Sequence, residues 1–233
     1  MKKIATLSAI SLLCLPLLVG CAITPVGPSV SQDRAIEDVS EVSLVSYGDL
    51  VITRGEPSLT ITAAPSVIDS LTAEVRDGVL YLDAKPGLMV LRGNVKYELS
   101  LPTVQAILID GAGDVTADFA GAANVSIAID GSGDIEGVNI DAKSVTVTVA
   151  GAGNVELSGA SDRGDVSIGG SGDVDLDNLI VRDAMVSIDG AGDIRVHATG
   201  TLNASISGSG TIRHSGGAKV TSQIDGLGDI VAD

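Results

Sequence analysis

A chain of 233 residues with 30 acidic and 14 basic side chains carries a formal net charge of −16, which repels nucleic acid and anionic lipid surfaces and argues against both as partners. Trp is absent, Tyr occurs only at 47, 81 and 97, and Phe only at 119, so a core must be assembled from Val, Ile, Leu and Ala. Together with 29 glycines, that composition favours stacked β-strands.

Lys2 and Lys3 precede an apolar run, Ile4 to Leu18, too short to read as a membrane span, and the run ends in Leu18, Val19, Gly20 and Cys21. This junction resembles a bacterial lipobox. The resemblance implies that residues 1–20 are a removed signal peptide and that Cys21 receives a thioether-linked diacylglycerol as the first mature residue. The expected partner is then a membrane, reached through that lipid, and the expected location is the cell envelope. Ala22 in place of Asp after Cys21 resembles the outer-membrane sorting pattern. Cys14 leaves with the leader and Cys21 is alkylated, so neither a disulfide nor a cysteine zinc site is expected. Loss of Lys2 and Lys3 leaves 12 basic against 30 acidic residues, a net charge of −18. Residues 21–38, with Pro25, Gly27 and Pro28, read as the lipidated cysteine and a flexible tether reaching about 20 to 25 Å.

Residues 39–233 read as one β-solenoid domain with a less regular β N-terminal half. From Val39 to about Pro102, alternating segments such as Asp49 to Arg54, Ser58 to Ala63 and Val79 to Ala84 predict strands. Asp77-Gly78, set between two such runs, predicts a hairpin.

Beyond Gln105 one phrase recurs: DGAGDV, DGSGDI, AGAGNV, GGSGDV, DGAGDI, SGSGTI and DGLGDI. The paired glycines are Gly111 and Gly113, Gly131 and Gly133, Gly151 and Gly153, Gly170 and Gly172, Gly190 and Gly192, Gly208 and Gly210, and Gly226 and Gly228. Their period near 19 residues predicts a solenoid in which each copy is one turn of the winding. Two residues before the first glycine stand Ile109, Ile129, Val149, Ile168, Ile188, Ile206 and Ile224, a β-branched column that must face inward. Two residues after the second glycine stand Val115, Ile135, Val155, Val174, Ile194, Ile212 and Ile230, so another strand begins at once.

Gly-x-Gly is therefore read as a tight corner whose glycines supply positive φ. Flanking Asp and Asn side chains are expected to accept hydrogen bonds from nearby backbone N–H groups. Aspartates 110, 114, 130, 134, 173, 189, 193, 225 and 229 would stack along this edge, which raises the alternative of a calcium-binding repeat. The calcium nonapeptide, however, has half this period and places its Asp one position later. No metal or other cofactor is expected.

The corners, together with YGDLVITRGE at 47–56, VRDGVLYLDA at 75–84 and ELSLPTVQAILIDGAGDV at 98–115, resemble the putative auto-transporter adhesin, head GIN domain family. The resemblance implies a right-handed parallel β-helix-like solenoid, an adhesive or structural role and no established catalytic residue. AGAGNV and SGSGTI depart from the acidic pattern, which weakens a uniform ligand ladder. The function expected is a non-catalytic binding, adhesion or structural module of the cell envelope with an unidentified envelope or extracellular ligand.

The alternative is a polysaccharide lyase or hydrolase on a β-helix. Only His197 and His214 are available as imidazoles, and Arg195 and Arg213 continue an outer row that begins with Glu136, Glu156 and Asp175. Salt bridges along that row explain the arginines. At the C-terminal end the corner carries Leu227 and the inward column softens to Ser222. The expectation is that either the N-terminal β-half folds back over this end or two rods associate there weakly.

Overall fold

The computed structural model describes residues 22–23, 27–85, 89–90 and 94–233. The leader and Cys21 lie outside the described residues. The first elements are strands β1 (Ala22–Ile23), β2 (Val30–Arg34), β3 (Glu41–Leu44), β4 (Asp49–Arg54) and β5 (Ser58–Ala63). One helical turn, α1 (Pro65–Ile68), precedes β6 (Leu71–Arg76), β7 (Val79–Ala84), β8 (Met89–Val90) and β9 (Lys96–Leu101). The winding follows as β10 (Ala106–Ile109), β11 (Val115–Asp118), β12 (Asn124–Ile129), β13 (Ile135–Val149), β14 (Val155–Ile168) and β15 (Val174–Ile188). It ends with β16 (Ile194–Ile206), β17 (Ser209–Ser215), β18 (Lys219–Ile224) and β19 (Leu227–Ala232).

The strands after β9 stack in parallel, each coil on the one before. Ile107 pairs with Ile127, Ile127 with Val147, Val147 with Val166, and Val166 with Val186. These columns are buried because alternate side chains of a strand point to one side, and that side here is the lumen of the winding. Ile109, Ile129, Val149, Ile168 and Ile188 have no exposed surface. In the coil from Ile135 to Val149, Ile135, Ile140, Ala142, Val145, Val147 and Val149 are all buried, more positions than the corner columns alone mark. The alternation slips at Val138–Asn139 and again at Lys143–Ser144, so each coil bends at two places besides Gly-x-Gly and encloses its core with three faces.

Coils of unequal length keep their corners aligned because the difference is absorbed at the bends, mostly the second and, between Val181 and Asp183, the third as well. Ile135 pairs with Val155, but Ile140 pairs with Gly159, and further shifts fall between Glu156 and Gly159 and between Leu176 and Ile180. Gly137 has a packing reason. A Cβ there would lie 2.8 Å from Phe119 Cε2, and Phe119 is fully buried.

The N-terminal half is more regular than its sequence suggests. β3 and β4 form a true coil beneath β10 and β11, with Ser46, Tyr47 and Gly48 as its corner. β7 and β9 continue the stack below it. Beyond them the direction reverses: β6 pairs antiparallel with β7, and β5 pairs antiparallel with β9 and with β2. The predicted hairpin is present, with Asp77 and Gly78 at φ 52° and 83°.

These antiparallel strands, with Val67 and Ile68 buried on α1, close the first end of the winding. The N-terminal half therefore does not fold back over the last coil; the chain connectivity puts it at the opposite end. Val30–Arg34 also departs from the expected tether. As β2 it joins the cap, where Thr60 Oγ1 donates to Asp33 Oδ1 at 2.7 Å and Ser31 and Thr62 hydroxyls meet at 2.8 Å.

The Gly-x-Gly edge and the third-bend groove

The middle residues of the corners form a ladder of their own, from Tyr47 through Ala112, Ser132, Ala152, Ser171 and Ala191 to Ser209. The reason for the glycines differs from the expected one. Of the fourteen, only Gly133 and Gly210 have clearly positive φ, at 149° and 156°. What excludes a side chain is the coil beneath. A Cβ on Gly131 would overlap the carbonyl oxygen of Gly111, and one on Gly133 that of Gly113. The backbones are hydrogen-bonded face to face, Ser132 N–H to Gly111 O at 2.9 Å, and only a residue without Cβ permits that approach. Ser46 occupies the first-glycine column of the lowest corner, and its hydroxyl meets the Tyr97 hydroxyl at 3.0 Å. Burial pushes the Tyr97 phenol up to about 12, with the Ser46 hydrogen bond opposing.

The acid after the second glycine does accept backbone N–H groups, but from the next coil rather than its own turn. Asp114 Oδ1 accepts from Asp134 N–H at 3.0 Å, and Asp134 Oδ1 from Asn154 N–H at 2.8 Å. Asn154 Oδ1 accepts from Asp173 N–H, Asp173 from Asp193 N–H, and Asp193 from Thr211 N–H at 2.7 Å. Asn serves as well as Asp because the amide oxygen is an acceptor too, which explains AGAGNV. The column before the first glycine, with Asp110, Asp130 and Asp189, is exposed. Among the described residues no group of three or more His, Cys, Asp or Glu side chains is placed to hold a metal ion.

The outer row of charged residues lies in the expected register: Glu136, Glu156, Asp175, Arg195 and Arg213 stack in order, and Arg195 pairs with Asp175 at 3.1 Å. His214 pairs in register with Val196 and is half-buried. His197 Nδ1 meets Ser215 Oγ at 3.0 Å. Among the described residues no carboxylate hydrogen-bonds the His197 ring.

The feature that sequence reading missed lies along the third bend, where the phase slips after the short middle face. An open groove of about 520 Å³ runs there across successive coils, marked by Ala123, Lys143, Asp162, Arg182 and Thr199. Its floor is made of small residues, among them Ala142, Ala160 and Ser161, and Ile180 stands exposed beside it. Arg182 is neutralised by Asp162 and Asp183, each at 3.0 Å. Thr201 Oγ1 donates to Asp183 at 2.7 Å, and that bond, followed by Arg182, holds the Asp183 carboxyl below its usual range. Lys143 and Arg163, on adjacent coils, have no ion pair among the described residues. No motif marks this bend; only the slip in alternation reveals it.

The model of the putative auto-transporter adhesin, head GIN domain family matches residues 39–218. The chain belongs to this family. Several solved structures share the fold. A putative adhesin from Bacteroides fragilis superposes with a TM-score of 0.85 at 22% identity, covering 91% of this chain and 100% of its own. A putative adhesin from Parabacteroides distasonis gives 0.67 at 21% identity, with 91% and 100% covered. A putative lipid binding protein from the same species gives 0.71 at 20% identity, with 91% and 99% covered. No curated protein matches the chain.

Proposed function

We propose that this head GIN protein is a non-catalytic binding module of the cell envelope, held on a lipid at Cys21 and engaging an extended carboxylate-bearing chain along the third-bend groove. One observation carries the reading: in a molecule of net charge −16, Lys143 in the groove and Arg163 in the recess beside it are exposed without an ion pair among the described residues, because Asp162, opposite Lys143, is taken by Arg182. Parallel coils repeat at about 4.8 Å, so a groove crossing them offers a linear ligand a series of equivalent contacts. Two exposed cations supply direction and selectivity for anions. The small-residue floor lets a flat chain lie close, and Ile180 offers it an apolar face. Adhesin names among the structural relatives support a binding role.

The test is calorimetric titration of an acidic oligosaccharide, oligogalacturonate, followed by chromatography of the recovered sugar. Binding is expected, with the sugar intact and affinity reduced at least tenfold in Lys143→Glu with Arg163→Glu. Unsaturated or shortened products would establish the polysaccharide enzyme instead. No binding, or binding indifferent to both substitutions, would remove the groove as the site. The anchor is tested separately: Cys21→Ser should shift the protein out of the detergent phase.

A further inference from the structure

The last coil differs from all the others. β18 pairs with β16 along one edge only, and Val220, Ile224 and Leu227 are 36%, 45% and 82% exposed. We propose that this edge docks the same edge of a second copy of the chain, antiparallel, joining two rods end to end with Ser222 on the two-fold axis.

The register follows from the backbone. Asp225 N–H bonds to Ile206 O at 2.8 Å, so the odd-numbered positions of β18 face β16, and Val220, Ser222 and Ile224 present N–H and C=O to the open edge. An antiparallel partner centred on Ser222 pairs Ser222 with itself and Val220 with Ile224, all three positions facing the right way to exchange hydrogen bonds. Side chains opposite each other in such a pair lie on the same face. Val220 and Ile224 stack on Leu202 and Ile206 and so belong to the lumen columns. Pairing therefore continues the apolar core of one rod into the other. On the outer face the same register sets Lys219 against Asp225 of the second copy, twice by symmetry, and a shift by two residues loses both ion pairs. Leu227, where the other numbered corners carry Ala or Ser, comes against the Gly216–Gly217 turn, where no atom crowds a Cβ added at Gly217.

The experiment uses the full-length protein in detergent. Sedimentation is expected to show a concentration-dependent dimer. Lys219→Glu should weaken it about tenfold, and adding Asp225→Lys should restore it. Hydrogen-bonded antiparallel partners have Cα atoms about 5.5 Å apart, within disulfide range. Ser222→Cys should therefore form a covalent dimer on oxidation, while Thr221→Cys stays at the wild-type background. A strict monomer at high concentration overturns the proposal. So does equal cross-linking at 221 and 222, or failure of the charge swap to restore a dimer that Lys219→Glu had lost.

Discussion

Gly169 and Gly170 are neighbours in GGSGDV, and adding one methyl group to each should have opposite effects. Gly169 stands in the exposed column that carries Asp110, Asp130, Ala150 and Asp189 in other coils, and a Cβ there would meet nothing within 4 Å. Gly169→Ala removes freedom from the unfolded chain and should stabilise by about 0.4 to 1 kcal/mol. At Gly170 a Cβ would overlap the Gly151 carbonyl oxygen and lie 2.7 Å from the Ala150 carbonyl carbon. The coil would have to lift locally, stretching Gly170 N–H to Val149 O at 3.0 Å and Ser171 N–H to Gly151 O at 2.9 Å. Two weakened backbone bonds at about 1 kcal/mol each, with about 1 to 3 kcal/mol of overpacking strain, give a cost of about 3 to 5 kcal/mol. In a domain of this size that lowers the melting temperature by about 10 °C. Urea and thermal denaturation followed by circular dichroism measure both variants. If Gly170→Ala is neutral, or if the two variants lose equal stability, close coil stacking is not why these glycines are there.

Ile188→Asp should unfold the protein, because a charge would enter a column between Ile168 and Ile206, whereas the outward Ser187→Asp should not; melts of the two variants test the register. Asp134→Asn keeps an acceptor for Asn154 N–H and should be nearly neutral. Asp134→Ala should cost about 1 kcal/mol, and neither variant should respond to chelator if the edge serves only as a hydrogen-bond ladder. Tyr97, with its phenol pushed up to about 12, contributes stability that is whole below pH 10 and is lost as pH rises through 10 to 12, about 3 kcal/mol in all. Urea midpoints across that range should fall in the wild type and flatten in Tyr97→Phe.

The period, the inward columns and the charge row were legible because each depends on side-chain type repeated at a fixed place. The coil of β3 and β4 was not: Ser46 stands where the repeat has glycine, and the residues between β4 and β10 interrupt the period. The purpose of the corner glycines was also hidden, since a positive φ and a close backbone approach select the same residue. The groove was least legible. Its bend carries Ala123, Lys143, Asp162 and Arg182, with no residue type repeated from coil to coil, and its position follows from where alternation slips.

Along the Asp and Asn ladder the acceptor always belongs to the earlier coil and the donor to the later one, from Asp114 and Asp134 up to Asp193 and Thr211. A coil therefore finds its acceptors already in place when its predecessor has formed, while its own acid waits for the segment that follows. This side-chain ladder therefore has a direction, N to C, the order in which a chain emerges from a ribosome or a translocation pore. The capped first coil is the seed. Cutting coils from the C-terminal side should shorten the rod and leave each remaining N–H of the Asp and Asn ladder satisfied, while forward-pointing backbone donors such as Val115 N–H lose the carbonyl of the coil removed. Deleting the seed should strand every later coil without a template.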